Sequence, residues 1–424
     1  MARQSPSVRF TSTASSICAQ PPVSGVVDPQ LRAAFNADFT PDKYAALLRC
    51  VNQSTRWPAD FRVAETPLFL TREFRDEAVR AATEIIAQTR TPAFAAHAAS
   101  AIPAGWEVPN ESAHPDFLIV DLGICDVGGR LSPRLIELQA FPSLFGFQFL
   151  LLGCMRKAYP VIPPDWTSAF GGLHDQEYIE LLRRTIVADS NPENVVLLEI
   201  DPEHQKTRID FACTASLFGT PIVSLATVKK RGRSLFYERA GREVRIERIY
   251  NRVIFDELER RGDLHLPFRF QDELDVTWVT HPNWYYRISK HSLPFLKTEH
   301  TSLAFFADEF PASESIADYV LKPLYSFAGL GVEMEPTREK LAALPNPHQW
   351  ILQRKVEYGA FLPAPDGARS KAELRMMFVW PQSDKNPTLV NNLVRMSQGK
   401  MMGVNFNKEK TWVGSSIALH ERET

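Results

Sequence analysis

Two apolar runs, FLIVDLGI (117–124) and PRLIELQAF (133–141), flank a Cys-Asp-Val-Gly-Gly-Arg turn, and no other feature constrains the fold as tightly. Their composition and the glycines between them predict a β-hairpin with a long loop. Side chains alternate along a strand, so Glu137 and Gln139 share one face. The hairpin brings Asp121 of the neighbouring strand beside them. Strands this apolar have little solvent exposure, and an unpartnered carboxylate there is costly. Two acids and an amide oxygen are hard ligands, suited to a magnesium ion that also binds phosphate oxygens.

The rest of the chain bounds the setting. Its 424 residues suffice for two or three domains with buried cores. Forty-eight basic against fifty acidic side chains give a net charge of −2, so no global attraction draws it to nucleic acid or an anionic membrane. The longest apolar run, FGFQFLLLGC (145–154), is about half of a membrane-spanning helix, and the N-terminus lacks the apolar core of a signal peptide. Five scattered cysteines, with no C-x-x-C spacing, argue against a disulfide scaffold or zinc knuckle and for a reducing compartment. A cytoplasmic protein is expected.

Four segments follow from the patterning. Residues 1–28 are rich in Ser, Thr, Ala and Pro and read as a disordered leader. Residues 29–190 begin with helices over 42–51 and 71–88, continue with the hairpin, and reach a buried helix over 144–157. Residues 191–280 alternate strand, helix and strand (194–201, 207–217, 220–227), then a polar hairpin and the run VRIERIYNRVI (244–254), which suggests a small parallel α/β unit. Residues 281–424 open with a helix and continue with strands at 317–321, 350–356, 372–380 and 388–396, and near Trp412.

In this last segment LKPLYSFAGLGV (321–332) is a strand ending in a lysine, followed by a glycine loop. Lys322, Ser326, Gly329 and Gly331 suit a polyphosphate, because glycines let backbone N–H groups approach an anion. The stretch is neither a Walker loop nor a dinucleotide fingerprint. The next strand turns polar at Gln353, Lys355, Val356 and Glu357, offering backbone groups to a purine edge and a carboxylate to a ribose. Glu373 and Arg375 then alternate onto one face, Arg395 follows on another strand, and Asn405 and Asn407 lie in the loop beyond. The ten histidines show no metal-ligand spacing, and no G-x-S-x-G elbow occurs.

Taken together, strand lysine, glycine loop, Gln strand, Glu-x-Arg strand and Arg strand resemble the nucleotide-binding half of an ATP-grasp ligase. The hairpin resembles that family's metal strand, with Glu137 at the bridging glutamate, Gln139 at the asparagine position, and Asp121 as the partner aspartate. A metal strand preceding the phosphate lysine is the order of circularly permuted members, similar to eukaryotic-type glutathione synthetases. The resemblance covers roughly residues 110–150 and 280–416. It implies an α/β (α+β) fold: a permuted ATP-grasp, two sheets clasping the nucleotide, plus a small Rossmann-like α/β substrate domain.

It also implies ATP and Mg2+ as cofactors and a carboxylate and an amine as substrates. A second phosphate lysine is expected upstream; Lys290, in a helix, is the choice and Lys297 the alternative. Arg252 loosely resembles the substrate-domain arginine and would hold a substrate carboxylate, with Asn405 nearby. Arg395, with Arg375, would stabilise the oxyanion. The loop 326–331 and the segment 360–371 are candidate lids. Ser326 stands where those synthetases carry a further metal-binding glutamate, which keeps open a second reading: a nucleotide-binding regulatory or scaffold protein without ligase chemistry.

Overall fold

A computed structural model describes residues 25–327, 329–399, 402, 407 and 410–423. Helix Pro41–Gln53 starts where Thr40 accepts a hydrogen bond from the Lys43 amide. Helix Arg72–Thr89 starts where Thr71 caps Phe74, and it buries Phe74, Ala78, Ala81, Ala82 and Ile85 along one stripe. Strands β1 (Phe117–Val127) and β2 (Arg130–Gln139) then form the hairpin. Its connection is shorter than the sequence suggests, because Val127 and Arg130 pair directly across Gly128-Gly129.

Helix Phe145–Ala158 leaves β2 through Leu144, whose φ of 67° turns the chain sharply. Its N-terminus is capped from another element: Asp210 accepts from the Leu144 and Phe147 amides at 2.9 and 3.0 Å. Asp210 belongs to helix Arg208–Phe218. Gly146 allows the two helices to touch, since a Cβ there would lie 3.1 Å from that of Cys213.

The α/β unit is a four-stranded parallel sheet of β3 (Val195–Glu199), β4 (Ile222–Ser224), β5 (Arg248–Asn251) and β6 (Thr277–Val279), in the order β6-β5-β3-β4. A three-stranded antiparallel sheet spanning 229–246 projects from it. Phe117 joins the unit to β1, packing its ring 4.8 Å from Phe145 and 5.6 Å from Tyr250. All three rings are buried, worth roughly 1.5–3 kcal/mol each.

Strands β7 (Ala304–Phe306), β8 (Tyr319–Pro323) and β9 (Trp350–Arg354) make a small antiparallel sheet in the order β7-β9-β8. The chain then returns to the hairpin. Strands β10 (Arg369–Val379), β11 (Thr388–Ser397) and β12 (Gly414–Ser416) extend it to the antiparallel order β12-β11-β10-β1-β2. The molecule is thus a mixed α/β protein with several sheets, of α+β type.

Four expectations need correction. Residues 1–24 lie outside the described residues, but Val26 and Val27 are buried and Val27 bridges Leu70, so the leader reading fails at its end. Lys290 is not in an α-helix: helix Pro282–Arg287 ends before it, and Lys290 starts a 3-10 turn, Lys290–Phe295. The strand around Lys322 starts later, at Tyr319, because residues 316–318 form another 3-10 turn. Cys50 and Cys154 form a disulfide between helices Pro41–Gln53 and Phe145–Ala158. They are far apart in sequence, which spacing alone does not reveal, and their pairing removes the argument for a reducing compartment. Among the described residues no helix is long and apolar enough to cross a membrane.

Candidate active site between two sheets

Strand register assembles the first part of the site. On the large sheet Glu137 faces Asp121, and Asp121 faces Arg375, so three strands contribute one row to one face. Two residues along, Glu373 faces Arg395. Asp121 is fully buried and bidentate with Arg375: Nε and Nη2 donate to its two oxygens at 2.7 and 2.8 Å. Arg395 adds a bond at 3.0 Å, and the Gln139 amide donates at 3.3 Å. Burial alone would raise the Asp121 pKa; the two guanidiniums outweigh it and hold the carboxyl below its ordinary range. Arg395 also pairs with Glu373 at 2.7 Å, and the Tyr358 hydroxyl donates to Glu373. Burial, with Glu373 beside it, keeps that phenol protonated well above its usual range.

The small sheet crosses over β2. The Lys322 ammonium, at the end of β8, donates to Gln353 Oε1 at 2.5 Å and to the Ile136 carbonyl at 3.4 Å. The other end of the Gln353 amide donates to the Leu135 carbonyl at 3.1 Å, fastening β9 to β2. Burial pulls the Lys322 pKa down to about 8; Glu137 opposes that shift and Lys290 adds to it. Lys290 lies 2.9 Å from Glu137 and donates to the Ser326 carbonyl at 2.6 Å. Lys297 is exposed, and its amide is held by Gln88.

Glu137, Gln139, Lys290 and Ser326 line one crevice between the sheets, together with Phe141, Tyr285 and Phe327. The crevice holds a cavity of only about 20 Å³, against the roughly 300–1,000 Å³ of ordinary ligand pockets. The segment after Lys322, residues 324–327, forms one of its walls. The Tyr285 hydroxyl donates to the Tyr325 carbonyl at 2.8 Å, and the Phe327 ring stacks 5.6 Å from Tyr285. Further along, Gly329 and Gly331 both have φ of 75°. A Cβ on Gly331 would meet Pro323 at 2.9 Å, so this turn requires glycine.

Glu137 and Gln139 both face the crevice, and one carboxylate with one amide oxygen fits a magnesium ion that takes its remaining ligands from water and phosphate. Asp121 does not fit that role, because Arg375 and Arg395 already engage its oxygens. Ser326 offers no charge. Among the described residues no group of three His, Cys, Asp or Glu forms a metal site.

Other candidates stand apart. Lys355 is exposed, its amide bonded to the Asp318 carbonyl and its ammonium to that of Ala317, so this backbone donor is not available to a purine. Val356 is half-buried; Glu357 is exposed, and its carbonyl accepts from Asp126. Asn405 lies outside the described residues, whereas the Asn407 side chain accepts from the Gln398 amide. Residues missed from sequence are Tyr358, Phe141, Phe327 and Tyr285. Phe141 and Phe327 lie inside stretches the sequence singles out, but an aromatic carries no signal of a crevice wall until the fold brings it together with others.

Arg252 is buried behind the crevice, just beyond β5, at the carboxyl end of the parallel sheet. Its guanidinium carbon lies 5.0 Å from the Phe141 ring centre and 5.1 Å from that of Phe211. Nε and Nη1 have no hydrogen-bond partner. Glu199, buried at the end of β3, has its pKa pushed up by burial to about 8, and burial likewise raises that of Asp210.

No protein-family model matches the chain, and no curated protein matches it. Among solved structures it is similar to a glutathione synthetase-like effector from Globodera pallida in its apo form, with a TM-score of 0.52 and 11% identity. The match covers 93% of this chain and 98% of the effector chain. At that identity the likeness concerns the fold alone, a glutathione synthetase-like one.

Proposed function

We propose that the crevice is the nucleotide site of an ATP- and magnesium-dependent ligase that joins a carboxylate to an amine, on a permuted ATP-grasp scaffold. The observation that carries this reading is the ion pair of Lys290 with Glu137 at 2.9 Å, with Lys322 reaching the carbonyl of the adjacent Ile136 from the small sheet. Two lysines opposite a carboxylate and an amide oxygen suit a polyphosphate and its counterion. Glu137 and Gln139 would hold magnesium, which neutralises phosphate oxygens when bound. Asp121 instead orients Arg375 and Arg395.

In this reading the docked segment 324–327 moves aside, and Lys290 and Lys322 take the phosphates. The substrate carboxylate attacks the γ-phosphorus, giving an acyl phosphate and ADP. The amine then attacks the acyl carbon, and phosphate leaves with the C–O bonding pair as the amide forms. Arg395 stabilises the oxyanion in that second step. The substrate carboxylate would reach Arg252.

A second reading, a nucleotide-binding regulatory or scaffold protein, is favoured by two observations: the arginines on Asp121, and Ser326 in the crevice wall. Magnesium-dependent ADP release across a panel of acids and amines separates the two. The ligase reading expects release with particular acid–amine pairs and none from Lys322→Met. ATP binding without turnover across the whole panel supports the second reading.

A further inference from the structure

Segment 357–359 leaves the small sheet beyond β9 and lies against the end of β1 as a short added strand. The Asp126 amide donates to the Glu357 carbonyl at 2.7 Å and the Gly359 amide to that of Ile124 at 3.0 Å, with Tyr358 bridging Cys125 between them. Along the large sheet Glu373 has Gly123 beside it on β1 and Arg395 on β11. Gly123 leaves the place next to Glu373 without a side chain, and the Tyr358 ring takes it. A Cβ on Gly123 would lie 2.9 Å from Cε1 of that ring. From there the Tyr358 hydroxyl reaches Glu373 Oε1.

That bond sets the direction of Glu373, because Oε2 accepts no hydrogen bond. Its contact with Arg395, 2.7 Å from Nη2, is an ion pair outside hydrogen-bond alignment. Among the described residues Arg395 is held through Nη2, shared between Glu373 and Asp121, and its Nε has no partner. Arg375, by contrast, grips Asp121 with two nitrogens. We propose that Tyr358 is a positioning residue for Arg395: by fixing Glu373 it sets where that guanidinium points. The proposal rests on the ligase reading for what Arg395 does, stabilising an oxyanion, and not for how Arg395 is held. A donor misplaced by roughly 1 Å loses its geometry toward the developing charge.

Tyr358→Phe keeps the ring over Gly123 and removes only the hydroxyl. Hydrogen exchange of arginine Nε–H groups, followed by NMR on 15N-arginine-labelled chain without nucleotide, reads the consequence. The Arg395 and Arg375 signals are assigned by their lysine variants. Tyr358→Phe should speed exchange at Arg395 about tenfold and leave Arg375 within about twofold, since Arg375 bonds Asp121 but not Glu373. Gly123→Ala, whose Cβ displaces the ring, should speed Arg395 similarly and serves should Tyr358→Phe fold poorly. Unchanged exchange at Arg395 in a folded variant overturns the proposal. Equal acceleration at Arg375 also overturns it, because it reports a loosened sheet. With an acid–amine pair that releases ADP, kcat should fall about tenfold in Tyr358→Phe; an unchanged kcat beside faster Arg395 exchange overturns the catalytic use of that position. Faster Arg395 exchange, with no pair turned over by the wild type, overturns the ligase reading while leaving the positioning standing.

Discussion

Two buried arginine sites in this molecule are treated in opposite ways. Arg375 lies on a sheet face where register sets a carboxylate opposite it, and it forms a bidentate pair with Asp121. Arg252 is just as buried but rests between two phenylalanine rings, with Nε and Nη1 lacking a hydrogen-bond partner. A paired buried charge is a fixed part of its surroundings, because removing one partner strands the other. An unpaired one lowers its own energy when an anion arrives. The first arrangement belongs to the scaffold of the crevice, and the second suits a ligand.

The largest effect tests the paired side. Asp121→Asn leaves two guanidiniums facing a neutral amide and should lower unfolding free energy by about 3–5 kcal/mol, measured by urea denaturation. A loss below about 1 kcal/mol would mean that water already relieves the pair. Next, Glu137→Gln should raise the magnesium concentration needed for nucleotide binding by about 10–100-fold, read by titrating the metal at fixed ATP; an unchanged requirement removes Glu137 as a ligand.

A third measurement uses protonation. Lys322, with its pKa pulled down to about 8, is charged below that pH and loses its proton above it, unlike an ordinary lysine near 10.4. Nucleotide affinity should therefore fall about tenfold per unit as pH rises past about 8, until it meets the level of Lys322→Met, which should show no such fall. The smallest effect tests the unpaired side. Arg252→Met should change stability by less than about 1 kcal/mol, whereas a loss as large as that of Asp121→Asn would show that Arg252 is paired after all.

Much of this contrast was legible in the sequence, though unevenly. Alternation put Glu137 with Gln139, and Glu373 with Arg375, each on one face of its own strand, and the register of four strands then set both pairs on the same sheet face. Helix 72–89 followed from its apolar stripe, expected over 71–88, and helix 145–158 from a nearly continuous apolar run, expected over 144–157. What sequence could not supply was partner choice. Asp121 reads equally well as a metal ligand or an arginine partner until β10 is known to lie beside β1. The Cys50–Cys154 bond depends on two helices distant in sequence, and the closure of the crevice depends on where Phe141 and Phe327 point. Those are tertiary facts with no local signature.

The measurement that bears most directly on the central claim is calorimetric titration of Mg·ATP into the wild-type chain and into Lys322→Met. The account predicts saturable one-to-one binding by the wild type, and at least tenfold weaker binding by a Lys322→Met variant that remains folded. Equal affinity in the two proteins, or no binding by the wild type, would contradict it.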